Sequence, residues 1–252
     1  MDSIQVLAGI FGDQMEVILS GGSYADQAPR NKHQWGRLHY AEAGDGPLMV
    51  CLHGFPEFWY SWRHQMEALS SAGYRVVAPD LRGYNESSKP TGRLSYGTEV
   101  LVDDVVGLIA HLGEDRAVIV DHDGGGMIAW AVAAHRPASV RAMVALNAPH
   151  PRAWTAGLWD PRQAQRSWYM LLFQLLWLPE ALARRRNFAL ADRMLGEVAN
   201  ADAFSVEDMA LYKRATAQPS AQAAALNYYR AMRDKPSRGM LFPPPSIDAP
   251  GC

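Results

Sequence analysis

Three short stretches carry side chains suited to chemistry: His53-Gly54-Phe55-Pro56, Asp80-Leu81-Arg82-Gly83-Tyr84 and Asp121-His122-Asp123-Gly124-Gly125-Gly126. Each follows a short apolar run. In an open α/β sheet, ligands bind beyond the carboxyl ends of such strands. The third stretch also precedes a helical pattern. A sharp strand-to-helix turn lifts one side chain above the sheet, while backbone N–H groups at the helix start point at the same spot. A carboxylate there can attack carbon directly and form a covalent ester. An Asp before a helix also commonly caps it, and the residues leave that alternative open. A metal site built from Asp121, His122 and Asp123 is weaker, because consecutive residues point apart and no second ligand cluster is present. The glycines do not form G-x-G-x-x-G, so dinucleotide binding is a weaker reading still.

The elements that must position these residues are legible from periodicity. Residues 37–43 (RLHYAEA) read as a strand, ended by the turn Gly44-Asp45-Gly46-Pro47. Residues 48–52, 74–78, 117–120 and 142–146 are continuous apolar runs, the pattern of strands covered on both faces. Helical patterns fill residues 59–72, 98–112 and 125–135, with Leu101, Val105, Leu108, Ile109 and Leu112 forming one stripe. Alternation of this kind predicts a mostly parallel sheet with helical crossovers, an α/β domain. After Asn147 only helical patterns continue, including 206–216 and 220–233. The expected organisation is a core over residues 1–148 whose first 30 residues are an arm, a helical lid over 149–235, and a proline-rich tail over 236–252.

Composition limits the alternatives. The 252 residues are 48% hydrophobic and 20% charged, with a formal net charge of −2, so the chain is globular and lacks the basic surface of a nucleic-acid binder. Cys51 and Cys252, the two cysteines, cannot build a disulfide scaffold or a cysteine zinc site. The most apolar stretch, 168–178, contains Gln174 and stops at Pro179, well short of the ~20 residues a membrane span needs. The start of the chain has Asp2 and no early Lys or Arg, a poor match to a signal peptide. A cytoplasmic protein without a cofactor or resident metal is the expectation.

Read in order, HGFPEFWYSWRHQ (53–65), APDLRGYNESSKP (78–90), HDGGGMIAW (122–130), NAPHP (147–151), SWYMLLFQ (167–174) and ALNYYR (225–230) resemble the epoxide hydrolases of the α/β-hydrolase fold. The resemblance spans residues 35–232. It implies that Asp123 is the nucleophile and that the backbone N–H groups of Phe55 and Gly124 form the oxyanion hole. It further implies that Tyr169 and Tyr229 are the two lid tyrosines that hydrogen-bond the epoxide oxygen. A phenol is neutral at pH 7, so it can donate to the alkoxide as the ring opens. A small hydrophobic epoxide is the implied substrate. His53 and Pro56 shape their loop; Asp80, Arg82 and Tyr84 brace theirs. Trp59, Trp62, Trp168 and the stripe over 171–178 suit an apolar pocket, but their spacing alone favours ordinary core or lid packing, and they are not counted among the site residues. Haloalkane and haloacetate dehalogenases share the HG-x-P segment and the nucleophile turn, but are not expected to carry the paired tyrosines.

The chain departs from the family pattern in three places. Asp121 stands where the family usually has Gly, which is expected to crowd the turn and to place a like charge near Asp123, raising one of their pKa values. Gly124 stands where the family usually has Trp. No histidine follows His150, so neither the family's base histidine nor its acid is found after the lid, as if the chain stopped before the last strands. Attack by an ionised carboxylate needs no base, but hydrolysis of the ester does. The expectations are therefore one alkylation per chain, a sheet edge at 142–146 open to self-association, and, as the contrasting reading, a non-catalytic protein that binds hydrophobic ligands.

Overall fold

The computed structural model describes residues 36–157, 160, 172–175, 179 and 204–234. Five strands form one sheet: β1 (Tyr40–Ala43), β2 (Leu48–Leu52), β3 (Arg75–Pro79), β4 (Ala117–His122) and β5 (Val140–Leu146). Their spatial order is β1-β3-β2-β4-β5; β1 runs antiparallel to β3 and the other neighbours are parallel. Helices α1 (Arg63–Ser71), α2 (Thr98–His111) and α3 (Gly124–His135) lie between the strands. They are followed by α4 (Pro151–Gly157), α5 (Val206–Ala217) and α6 (Ala221–Asp234). The α/β-hydrolase architecture implied by the motifs is the one observed.

β2 lies at the centre of the sheet and every one of its residues is buried. Val50 and Leu52 join the cluster formed with Leu101, Val105, Leu108 and Ile109 of α2 and Ala129 and Val132 of α3. Met49 and Cys51 join the other cluster, with Met66 of α1, Trp59, Trp62, Val76 and Ala78. Alternate residues of one strand thus supply two cores, which requires both faces of the sheet to be covered. Trp59 and Trp62 therefore pack in the core. Burial also pushes the Cys51 thiol up to about 12.

Two elements start more than two residues away from where the periodicity puts them. Residues 37–39 lie outside β1 because they pair with the loop after β3. Ser88 N donates to Arg37 O (2.9 Å), His39 N to Ser87 Oγ (2.9 Å) and Asp80 N to His39 O (2.8 Å). The helix expected from residue 59 opens as a 3-10 turn, Trp59–Trp62, before α1 begins. β5 ends the strand order among the described residues, and Val144 (45%) and Leu146 (43%) are exposed on it. Among the described residues, no helix is long and apolar enough to cross a membrane.

α5 and α6 are tied to the loops that follow β2 and β3. Ser205 and Asp208 form a capping box at the start of α5, and Tyr60 Oη donates to Asp208 Oδ1 at 2.8 Å. Arg63 pairs with the same carboxylate at 3.3 Å. From α6, Tyr228 Oη donates to the Arg82 carbonyl at 2.6 Å. Arg82 is itself held by two buried hydrogen bonds to Asp104 of α2, at 2.7 and 2.5 Å. Removing one partner of a buried pair leaves the other charge uncompensated. Asp104→Ala is expected to lower stability by about 3–5 kcal/mol, read as a shifted denaturation midpoint with an unchanged slope. A loss of about 1 kcal/mol or less, the size seen for exposed pairs, would contradict this reading.

Candidate active site

The turn between β4 and α3 is built on backbone proximity. A Cβ on Gly125 would lie 2.5 Å from Leu52 O, and one on Gly126 would lie 2.1 Å from the Ala148 Cβ. With no side chains at these positions, the first turn of α3 sits directly against the end of β2. Asp123 takes the N-cap position with φ +47° and ψ −114°, a left-handed conformation that costs a non-glycine residue of order 1–3 kcal/mol. Its side chain makes no capping hydrogen bond. The cap alternative is therefore not the one adopted. The carboxylate is exposed, and its Oδ2 accepts the Phe55 N–H at 3.1 Å.

Phe55 belongs to the loop that leaves β2, and this loop is held from several sides. Gly54 backs onto Asp123, since a Cβ there would lie 2.8 Å from Asp123 Oδ2. The Gly54 N–H donates to Glu57 Oε2 (3.1 Å) and the Glu57 N–H returns to Gly54 O (3.1 Å). His53 is fully buried; its Nδ1 lies 2.8 Å from Gly54 O and its Nε2 accepts the Leu81 N–H at 3.0 Å. These contacts fix one tautomer, with the proton on Nδ1. Burial lowers its pKa, outweighing the Gly54 carbonyl and the charges of Asp80, Glu57 and Asp123. His53 is the loop-shaping residue anticipated from its motif.

Asp80 braces the next loop from a fully buried position. It accepts from Trp59 N (3.1 Å), Asn85 Nδ2 (2.9 Å) and Glu86 N (3.3 Å), and its Oδ2 lies 2.7 Å from His39 Nδ1. Tyr84 packs edge-on to His53, with ring centroids 4.8 Å apart. Above the loop, Tyr229 of α6 meets Phe55 (6.1 Å between centroids) and Phe173 (5.0 Å). The structure thus brings Asp123, Phe55, Gly124 and Tyr229 together. Tyr169 and Trp168 lie outside the described residues, as does most of the apolar stretch over 168–178.

A Glu57–His122 pair was not anticipated from the sequence. His122 Nδ1 lies 3.3 Å from Glu57 Oε2, beside both the loop and Asp123. The hydrogen bond to Glu57 raises the His122 pKa against the effect of burial, and the charges of Glu57, Asp123 and Asp121 add to the rise. Burial pushes the Glu57 carboxyl up, but the His122 contacts and the Gly54 N–H outweigh it and leave it below its ordinary value. The available signal was local: Glu57 follows Gly54 by three residues, and His122 adjoins the turn. Among the described residues, no group of three His, Cys, Asp or Glu side chains is arranged to hold a metal ion. His150 has its ring against Trp130 (4.8 Å between centroids) and its Nδ1 accepts the Arg152 N–H at 3.1 Å.

Asp121 is fully buried, and neither carboxylate oxygen has a hydrogen-bond partner. It does crowd the turn: a Cβ on Gly126 would lie 2.7 Å from its Oδ1. Its pKa rises from 3.8 to about 7, because burial penalises the charged form and the His122 charge only partly offsets this. The expected cause, repulsion from Asp123, is thus replaced by desolvation. An acid whose folded pKa is raised stabilises the fold relative to its ionised form at low pH, and that advantage is lost as pH climbs from 3.8 through about 7. The loss reaches up to ~4 kcal/mol above neutrality. Asp121→Asn is therefore expected to raise Tm at pH 8 by several degrees and much less at pH 4.5, as read by thermal unfolding across pH. A gain independent of pH would contradict this reading.

Comparison with known proteins places this geometry in context. A model of the alpha/beta hydrolase fold matches residues 47–240. The AB hydrolase superfamily protein YfhM of Bacillus subtilis is 44% identical over 214 residues, covering 84% of this chain and 73% of that protein. Epoxide hydrolase 4 of Homo sapiens is 39% identical over 202 residues, covering 77% of this chain and 56% of that protein. Among solved structures, Bacillus megaterium epoxide hydrolase in complex with an inhibitor superposes with a TM-score of 0.75 at 34% identity, covering 82% of this chain and 74% of that one. An epoxide hydrolase from Vigna radiata gives 0.68 at 32% identity, covering 86% and 71%. The chain spans little more than half the human protein and about three quarters of the other three.

Proposed function

The chain belongs to the epoxide hydrolase group of the α/β-hydrolase family, and from that premise we propose that it opens epoxides through an ester on Asp123. The observation that carries the proposal is the exposed Asp123 carboxylate on a strained turn, with Oδ2 held by the Phe55 N–H at 3.1 Å. That contact leaves Oδ1 to attack. Oδ1 forms a bond to one ring carbon as the bond from that carbon to the epoxide oxygen breaks. The oxygen leaves as an alkoxide and takes the phenolic proton of Tyr229, with Tyr169 as the second donor. Tyr229 faces the Phe55 loop from α6, which supports this role.

Hydrolysis of the ester places negative charge on the carbonyl oxygen. In this geometry that oxygen is Oδ2, so the Phe55 N–H that orients the carboxylate also stabilises the tetrahedral intermediate. The Gly124 N–H at the start of α3 is the proposed second donor. The step also needs a base to activate water. His53 is buried with both ring nitrogens engaged, and His150 faces Trp130. His122 has its Nδ1 3.3 Å from Glu57 Oε2, a contact that raises its pKa. With those three rings so held, we propose that alkylation is fast and release slow.

Incubation with styrene oxide is expected to give one adduct per chain by intact mass, mapped to Asp123 by peptide analysis, with less than one equivalent of diol. Asp123→Asn is expected to abolish the adduct. Tyr229→Phe is expected to slow its formation by about 10²-fold, the lower range for loss of a positioned general acid. Many diol equivalents per chain would overturn the slow-release proposal. Tight binding without an adduct would favour a ligand-binding role, and halide release from a haloalkane would favour a dehalogenase.

A further inference from the structure

Asp121 stands two residues before Asp123, on the row of β4 side chains that begins with Ala117 and Ile119. Alternation turns all three to one face of the sheet. There Ala117 and Ile119 pack with Ile128, Ala129 and Val132 of α3, and Asp121 comes to lie under the first turn of that helix. Leu52 of β2 flanks it on one side and Ala145 of β5 on the other, both in register. Its Oδ1 lies 2.7 Å from the point a Gly126 Cβ would occupy, so helix and carboxyl are already in contact. The side chain is fully buried and neither oxygen has a hydrogen-bond partner. An enclosed carboxyl group of this kind is tolerated as the neutral acid and is far more costly as the ion.

The charged groups nearby are committed elsewhere. His122 and Asp123 follow on the same strand, and the His122 charge offsets only part of the effect of burial, which pushes the Asp121 pKa up to about 7. The loop after β2 brings His53, with both ring nitrogens engaged, and Glu57, which already accepts the Gly54 N–H and meets His122. The loop after β5 brings His150, whose ring lies against Trp130. α3 carries no titratable side chain before His135 at its far end. An ionised Asp121 therefore gains solvation only if the helix start lifts and water enters. That start is what seats Asp123 beside the Phe55 N–H.

We propose that Asp121 is a pH-sensitive catch on the nucleophile turn: the neutral acid lets the first turn of α3 rest against β2, and loss of its proton to water drives that turn off the sheet and draws Asp123 away from Phe55. The consequence for alkylation rests on Asp123 being the nucleophile; the movement of the turn does not, and the two are read separately. Hydrogen exchange over residues 121–130, corrected for the intrinsic rate, is compared at pH 6 and pH 8.5 in the full chain, Asp121→Asn and Asp121→Gly. Protection is expected to fall by about tenfold or more in the parent and to stay within about twofold in both variants. Adduct formation with styrene oxide, followed by intact mass, is expected to slow by about tenfold for each pH unit above 7 in the parent alone, as the neutral form declines. Equal protection at both pH values in the parent, or the same loss in Asp121→Asn, would overturn the catch. A constant alkylation rate alongside lost protection would overturn its link to Asp123. Protection lost in the parent alone, with no adduct at either pH, would uphold the catch and overturn the nucleophile assignment.

Discussion

The first turn of α3 rests against the end of β2 at a separation that excludes even a methyl group, and the site is a consequence of that contact. Gly125 lies over the Leu52 and His53 carbonyls, so the chain must reverse direction within the single residue before the helix. That residue is Asp123, and its positive φ is the cost of so short a reversal. The same contact draws the helix start and the loop after β2 to one point. A backbone donor from one strand end and a carboxylate from the next then meet without any side chain between them. Loosening the contact by a single methyl group would move both partners at once.

A second set of constraints holds the upper part of the site. The α5 and α6 pair is fixed by polar contacts that include the buried ones of Asp208 with Tyr60 and Arg63, and of Tyr228 with the Arg82 carbonyl. Both anchor points lie in loops that also serve the lower part. Trp59 and Asp80 join the same hydrogen-bond group, and Leu81 is tied to His53. The position of Tyr229 relative to Phe55 is thus set by the loops that position Phe55 relative to Asp123. Upper and lower parts share one framework.

The parts visible in the sequence were those governed by short-range rules. Alternation of Val50 and Leu52 with Met49 and Cys51, and the stripe from Leu101 to Leu112, follow from strand and helix periods. Asp123, Phe55 and Tyr229 stand in local motifs, and Phe55 touches both of the others. What periodicity could not supply were pairings across long separations. Glu57 and His122 are ordinary polar residues until β2 and β4 lie side by side. Asp121 was seen as a misfit, but the cause of its shifted titration is burial, a property of the assembled turn. Residues 37–39 read as strand because their composition alternates, yet the loop after β3 offered them partners outside the ladder.

Cys51 lies on β2, three residues from Gly54, in the cluster with Met49, Trp62 and Met66. Thiolates outcompete carboxylates for carbon electrophiles in water. Enclosed in the sheet, with its thiol pushed up to about 12, Cys51 presents almost no thiolate at neutral pH. Among the described residues the Asp123 side chain is exposed and the Cys51 thiol is enclosed, so burial, not intrinsic reactivity, decides which of the two a small electrophile from solution can meet.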